Sequence, residues 1–177
     1  MENNWKISKS QKNVLEYLFK EISNKKIKKV LDIGSGRTSI YYLTSKFKNL
    51  KIKGMIYPGD TRKITPIIEC VKNKNYELIE SDIMNFNSKE KFDVILGHLF
   101  LGEAEKFGKN RFENILKKLF SINTNYLVLI NLFRDKIDYN LLLKQISIKG
   151  SILKIKYGIS ESGDEFLGIL IKIKNGK

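Results

Sequence analysis

His98 is the only histidine in the chain, and it stands just past an apolar run, Phe92 to Leu96, closed by Gly97. An imidazole titrates near neutral pH, so a histidine at a strand end can take a proton from a substrate. Glu103 and Glu105 add carboxylates in the same segment, GHLFLGEAEKFG at 97–108. Acids in a first helical turn are also what the helix dipole favours on its own. A second stretch with chemical character is VLDIGSGRT at 30–38, where Asp32 interrupts an apolar run that ends at Gly34, Ser35 and Gly36. Glycines there let the backbone approach a ligand with no Cβ in the way, and a following helix N-terminus favours an anionic group. Asp32 can attract a cationic group or order the loop by hydrogen bonds. Asp82 and Ile83 follow a third apolar run, Tyr76 to Ile79. No Cys/His cluster suggests a metal, and Cys70 falls in an expected helix.

These residues need elements to hold them. Val14, Leu15, Leu18, Phe19 and Ile22 fall at helical spacing, so a helix is expected from Ser10, its cap, to about Asn24, with Trp5 and Ile7 packing before it. A strand over Val30–Ile33 leads through the glycine turn to a helix over Ile40–Phe47. A second strand, Asn49–Tyr57, stops at Pro58-Gly59-Asp60. Thr65-Pro66 opens a helix through Val71, with a capping threonine and a proline at the first helical position. The third strand is Tyr76–Ile79 and the fourth Phe92–Leu96. A helix over Ala104–Phe120, a fifth and central strand over Tyr126–Ile130, and a helix over Tyr139–Ile148 follow. Ser151–Ile159 and Phe166–Ile173 are strands joined by a link too short for a parallel crossover, so they form an antiparallel hairpin. The expectation is an α/β three-layer sandwich: a mainly parallel sheet, helices on both faces, and an antiparallel C-terminal hairpin. We expect one domain over 1–177, with an N-terminal helix in 1–27, an alternating core at 28–150 and the hairpin at 151–174.

Composition bounds the setting. Basic residues number 33 against 19 acidic ones, a formal charge of +14. Such an excess favours polyanions, nucleic acid first, although lysine-rich surfaces also arise from AT-rich codons. One cysteine cannot form an internal disulfide, the N-terminal residues lack an apolar signal core, and no apolar run approaches the roughly 18 residues of a membrane span. A cytoplasmic protein without a membrane partner is expected.

Taken together, VLDIGSG at 30–36, IESD at 79–82, KFDVILGH at 91–98, YLVLI at 126–130 and the closing hairpin resemble the class I S-adenosylmethionine-dependent methyltransferases. The resemblance covers about residues 10–174. It implies a seven-stranded sheet whose last strand is inserted antiparallel, and S-adenosylmethionine as cofactor. It places Asp32, Gly34, Ser35 and Gly36 at the cofactor's amino-acid end, Asp82 at the adenine amino group and Ile83 along the ring. The family usually ends its second strand in an acid that holds the ribose. Here Tyr57 or Ile56 occupies that place, with Asp60 as substitute. A dinucleotide fold is disfavoured because Ser39 replaces the third glycine of G-x-G-x-x-G and the second strand ends without an acid.

The resemblance makes methyl transfer the leading function, with His98 and Glu103 as candidate catalytic residues and RNA ahead of a small molecule as acceptor. No Asn/Asp-Pro-Pro-Tyr motif or strand-end cysteine points to base methylation on DNA. The alternative is a catalytically inactive module that keeps the fold and binds nucleic acid or a protein through its basic surface. Arg37, Lys46, Lys48, Lys51 and Lys53 form a phosphate-tracking patch if several share a face with Lys154 and Lys156. Lys46–Lys53 are expected at the far end of the sheet, away from the active-site mouth.

Overall fold

The computed structural model describes residues 8–47, 49–59, 75–105, 109–133 and 137–174. Its elements are α1 (Lys9–Glu21), β1 (Lys29–Ile33), α2 (Arg37–Lys46), β2 (Lys51–Ile56), β3 (Tyr76–Glu80), β4 (Phe92–His98), α3 (Phe100–Glu105), α4 (Lys109–Ser121), β5 (Thr124–Leu132), α5 (Tyr139–Lys149), β6 (Gly150–Ile159) and β7 (Glu165–Ile173). The strands form a seven-stranded sheet in the order β3-β2-β1-β4-β5-β7-β6. The neighbouring pairs from β3 to β5 are parallel, and β7 is antiparallel to both β5 and β6. The hairpin turn is closed by Ser160 N–H on the Asp164 carbonyl at 2.8 Å.

Alternation along the strands splits the core in two. Val30, Val94, Leu96, Val128 and Ile130 pack toward α1 and α2, against Val14, Leu18, Ile40 and Leu43. Leu31, Ile33, Ile95, Leu127 and Leu129 pack toward α4 and α5, against Phe112, Leu116, Leu142 and Ile146. Full burial of one such side chain is worth about 1.5–3 kcal/mol, so both faces are firmly held.

Four expectations are corrected. The cap of α1 is Ser8, whose hydroxyl accepts from Gln11 N–H; Ser10 lies inside the helix. The second helix starts at Arg37, earlier than Ile40, because Gly36 is extended and Ser39 folds back to accept from its N–H at 3.2 Å. The helix expected over 104–120 is two helices, since the chain turns at Leu99 and enters α3 at once. Tyr126–Ile130 lies within β5, which is interior, but the middle strand of the sheet is β4. The expected Thr65–Val71 helix, Trp5 and Ile7 lie outside the described residues.

Candidate functional site

Five parallel strands point their C-terminal ends at one edge of the sheet, and the sequence-selected residues follow from there. At the end of β1, alternation turns Asp32 toward the α2 face, where it is fully buried. A carboxylate in that setting is retained only with hydrogen bonds. Ser35 and Ser39 supply them, donating to Oδ2 at 2.6 and 2.8 Å. The Ser35 hydroxyl also meets the Tyr76 hydroxyl. Ser35 has one proton and gives it to Asp32, so Tyr76 is the donor to Ser35. Tyr76 reaches this point from β3 by crossing β2 at Gly54, where any Cβ would collide with its ring. Burial first, then the negative charge of Asp32, push the Tyr76 phenol well above its ordinary value, against the opposing effect of its hydrogen bond with Ser35. It therefore stays a protonated donor throughout the neutral range. The four residues form a clamp that spans three strands and fixes the glycine loop.

The loop backbone is largely committed inward. Ser35 N–H bonds the Met55 carbonyl at 3.0 Å, and Gly36 N–H bonds Ser39 Oγ. Gly34 has φ +70°, the left-handed region that L side chains rarely adopt. A Cβ on it would stand 3.3 Å from Phe100 Cβ. The first turn of α2 carries no acid, so its N-terminal field is open to an anion.

Across from Gly34, β4 ends at His98, which is only 6% exposed. The next residue, Leu99, has φ 57°, an outlier for a large side chain that costs about 1–2 kcal/mol. Its N–H on the Ile130 carbonyl at 2.7 Å holds the turn in place. Glu103 lies in α3, with its side chain outside the described residues.

At the other sites the carboxylates are engaged. Asp82 accepts from Met84 N–H at 2.9 Å and from Arg111 at 2.5 Å, and is a turn aspartate with an ion-pair partner on α4. Ile83 is buried beside Met55 and Phe86. Tyr57 is 47% exposed just past β2, and Asp60 lies outside the described residues. A carboxylate does reach the end of β2, but from the neighbouring strand: Glu80 accepts from Gly59 N–H at 2.6 Å.

By sequence, the chain matches no protein-family model and no curated protein. By structure it is similar to the N-methyltransferase NodS from Bradyrhizobium japonicum WM9, solved with S-adenosyl-L-homocysteine, at 13% identity and TM-score 0.72, over 99% of this chain and 94% of that one. It is also similar to the 16S rRNA methylase RmtB, at 21% identity and TM-score 0.67, over 93% of this chain and 62% of that one. A third is the 1,6-didemethyltoxoflavin-N1-methyltransferase from Burkholderia thailandensis, at 11% identity and TM-score 0.69, over 98% of this chain and 82% of that one. The fold is that of the S-adenosylmethionine-dependent methyltransferases.

In this methyltransferase fold the strand order reverses between β1 and β4, and ligands of open α/β sheets bind outside the strand ends at such a point. Gly34 and Leu99 sit there, on loops that touch. Sequence reasoning missed Tyr76, Ser39 and Arg111 as site residues. Ser39 had registered only as a failed glycine, and nothing in the sequence links Tyr76 or Arg111 to residues 41 or 29 positions away. Asn131 was missed too, although it is the one polar residue in YLVLINL. It is fully buried near the end of β5, and among the described residues neither side-chain amide atom has a hydrogen-bond partner. Such a group is costly, about 1–3 kcal/mol, and invites a functional account.

Proposed function

We propose that this chain binds S-adenosylmethionine over the β1–α2 loop and transfers its methyl group to an acceptor, with RNA ahead of a small molecule. The reading rests most on one observation: the left-handed Gly34 turn and the strained Leu99 turn meet at the switch point of a methyltransferase fold. The residues there fit the cofactor. Gly34 leaves room where a Cβ would crowd Phe100, the acid-free first turn of α2 suits a carboxylate, and buried Asp32 gives the loop a fixed shape near an ammonium.

Bound there, S-adenosylmethionine supplies a methyl carbon on a cationic sulfur, an activated leaving group. What the chain must add is alignment and a proton sink. In this reading Asp82 and Ile83 take the adenine side and Tyr57 the ribose side; Asp60, the substitute acid, lies outside the described residues. His98 would accept the proton that the acceptor gives up on methylation. Glu103 is the second candidate base. RNA is favoured by the charge of +14 and by the likeness to the 16S rRNA methylase RmtB; a small-molecule acceptor is supported by the likeness to the 1,6-didemethyltoxoflavin-N1-methyltransferase. The single cysteine supports a cytoplasmic setting. Among the described residues no helix is long and apolar enough to cross a membrane.

The test is calorimetry with S-adenosylmethionine and S-adenosylhomocysteine. Binding at micromolar to millimolar concentration is expected, and none at millimolar concentration overturns the reading. A second reading, an inactive module that binds nucleic acid, is favoured by the exposed Tyr57 at the end of β2 and the engaged Asp82. It predicts RNA binding that falls with salt and is indifferent to His98→Ala and Asp82→Ala.

A further inference from the structure

The opposite end of the sheet carries a different kind of surface. Parallel strands begin there and the helices between them end there, so every connector into a strand meets at one rim. The last turns of α1, α2, α4 and α5 hold Lys20, Lys46, Lys118 and Lys149. Helix dipoles account for those four. They do not account for Lys25, Lys26 and Lys28 in the connector to β1, Lys51 at the start of β2, or Lys172 near the end of β7.

Nearby acids do not neutralise the rim. Asp93 accepts the N–H groups of Lys28 and Lys29 at 2.8 and 3.0 Å. Glu90 holds the Lys29 and Lys53 ammonium groups at 2.6 and 3.5 Å, and Glu77 holds Lys53 at 3.6 Å. Among the described residues no carboxylate lies within salt-bridge distance of Lys26, Lys28, Lys46 or Lys51.

These four line a groove of about 730 Å³ with Phe47 and Asn49. On one side a groove of about 270 Å³ shares Lys26 with it and reaches Lys25, Asp93, Tyr126 and Lys172. On the other a groove of about 340 Å³ shares Lys29 and Lys51 with it and reaches Lys53, Glu77 and Glu90. The result is a concave basic track along the rim, with Phe47 and Tyr126 half-buried in its walls. Lys154 and Lys156 do not belong to it. They lie over the Tyr17 ring of α1, and Lys154 also pairs with Glu21 at 3.3 Å.

We propose that this track binds the phosphate backbone of single-stranded RNA, at a site separate from the cofactor end. A groove that lines up lysines with aromatic faces suits a single strand, whose phosphates follow the charge and whose bases have exposed rings to stack. A flat membrane surface suits a protruding apolar face, and the exposed Ile155, Tyr157 and Ile159 stand on β6, away from the track. β1 is five residues long, so the track lies about 16 Å below the glycine loop. Binding there needs neither cofactor nor His98, and the inference goes beyond methyl transfer.

The test titrates a fluorescein-labelled 20-nucleotide single-stranded RNA with the full chain, read by anisotropy at 50 and 200 mM salt. About four phosphate contacts predict a roughly 50-fold loss of affinity across that range for the wild type. Lys26→Glu/Lys46→Glu/Lys51→Glu is expected to weaken binding at least about tenfold at 50 mM salt and to flatten the salt dependence. Lys154→Glu/Lys156→Glu is expected to change it less than about twofold. Equal losses in the two variants, unchanged binding in the triple variant, or preference for phosphatidylserine vesicles over RNA overturns the proposal. S-adenosylhomocysteine calorimetry and a thermal melt run on each variant separate loss of this site from loss of the cofactor reading or of the fold. If the charge-reversed triple fails to fold, Lys26→Gln/Lys46→Gln/Lys51→Gln gives the same readout.

Discussion

The two ends of one sheet treat charge in opposite ways. At the C-terminal end, the described residues include buried, fixed groups: Asp32 held by two serines, Ser35 by Tyr76, and Leu99 in a left-handed turn, beside an Asn131 amide enclosed with no partner among the described residues. At the N-terminal end, charges are many and exposed, and among the described residues they are largely unpaired or paired at the surface, as Lys29 is with Glu90. Buried hydrogen bonds in a low-dielectric setting hold shape, which alignment for a displacement reaction requires. Exposed lysines keep their hydration and mobility, which suits a salt-sensitive hold on a polyanion. The proposed chemistry belongs to the first end and the proposed RNA binding to the second.

The largest effect should come from the clamp. Asp32→Ala removes the acceptor of two buried serine hydroxyls and is expected to cost about 3 kcal/mol, read by urea unfolding, with S-adenosylhomocysteine binding lost in calorimetry. Unchanged stability would show that the buried carboxylate does not hold the loop. Next, Gly34→Val forces a β-branched residue to φ +70° and toward Phe100, at an expected cost of about 2 kcal/mol, again with cofactor binding lost. Tight binding in that variant would remove the loop from the cofactor site.

Tyr76→Phe deletes one buried hydroxyl contact and should cost about 1 kcal/mol at pH 8. Its pH dependence is more telling. The folded-state value of Tyr76 lies above the unfolded one, so its contribution is complete below the ordinary tyrosine value and is lost as pH rises beyond it. Urea melts at pH 8 and about pH 10.5 should show a steeper alkaline decline for the wild type than for the phenylalanine variant; parallel declines would contradict the buried-phenol account.

Asn131→Leu reverses the usual sign. Replacing an unpartnered buried amide by an apolar side chain of similar size should stabilise the fold by up to about 1 kcal/mol. A loss of similar size in a thermal melt would mean that the amide has a structural role. The smallest effect belongs to the basic end. Glu90→Gln removes a half-exposed partner of Lys29 and Lys53 and should shift stability by no more than about 0.5 kcal/mol. The hydrogen bond from Lys29 chiefly lowers the Glu90 pKa, so what it contributes is present above the ordinary carboxylate value and fades as pH falls through the lowered one. A larger effect would blur the distinction between the two ends.

Much of the fold was legible because hydrophobic period and turn residues are local. The run at 30–33, the glycine turn and the short 160–164 link each carry their own signal, and together they gave the parallel core and the antiparallel hairpin. Element limits shifted where hydrogen bonding outran side-chain pattern, as when β5 extends through Asn131 and Leu132 to complete its ladder with β7. Of the candidate site, the strand-end positions of Asp32, Asp82 and His98 were readable, since a break in an apolar run marks each one; their roles in a reaction are part of the proposal.

The amino-acid sequence by itself determined the order of the strands, the tight glycine turn and the excess of lysine, because these depend on neighbours along the chain. Only the tertiary structure decided that Tyr76 crosses Gly54 to reach Ser35, that Arg111 engages Asp82, and that Lys26, Lys28, Lys46 and Lys51 share a groove. Those contacts join residues from different strands and helices. Their partners are chosen by sheet order and side-chain direction, which no local pattern encodes.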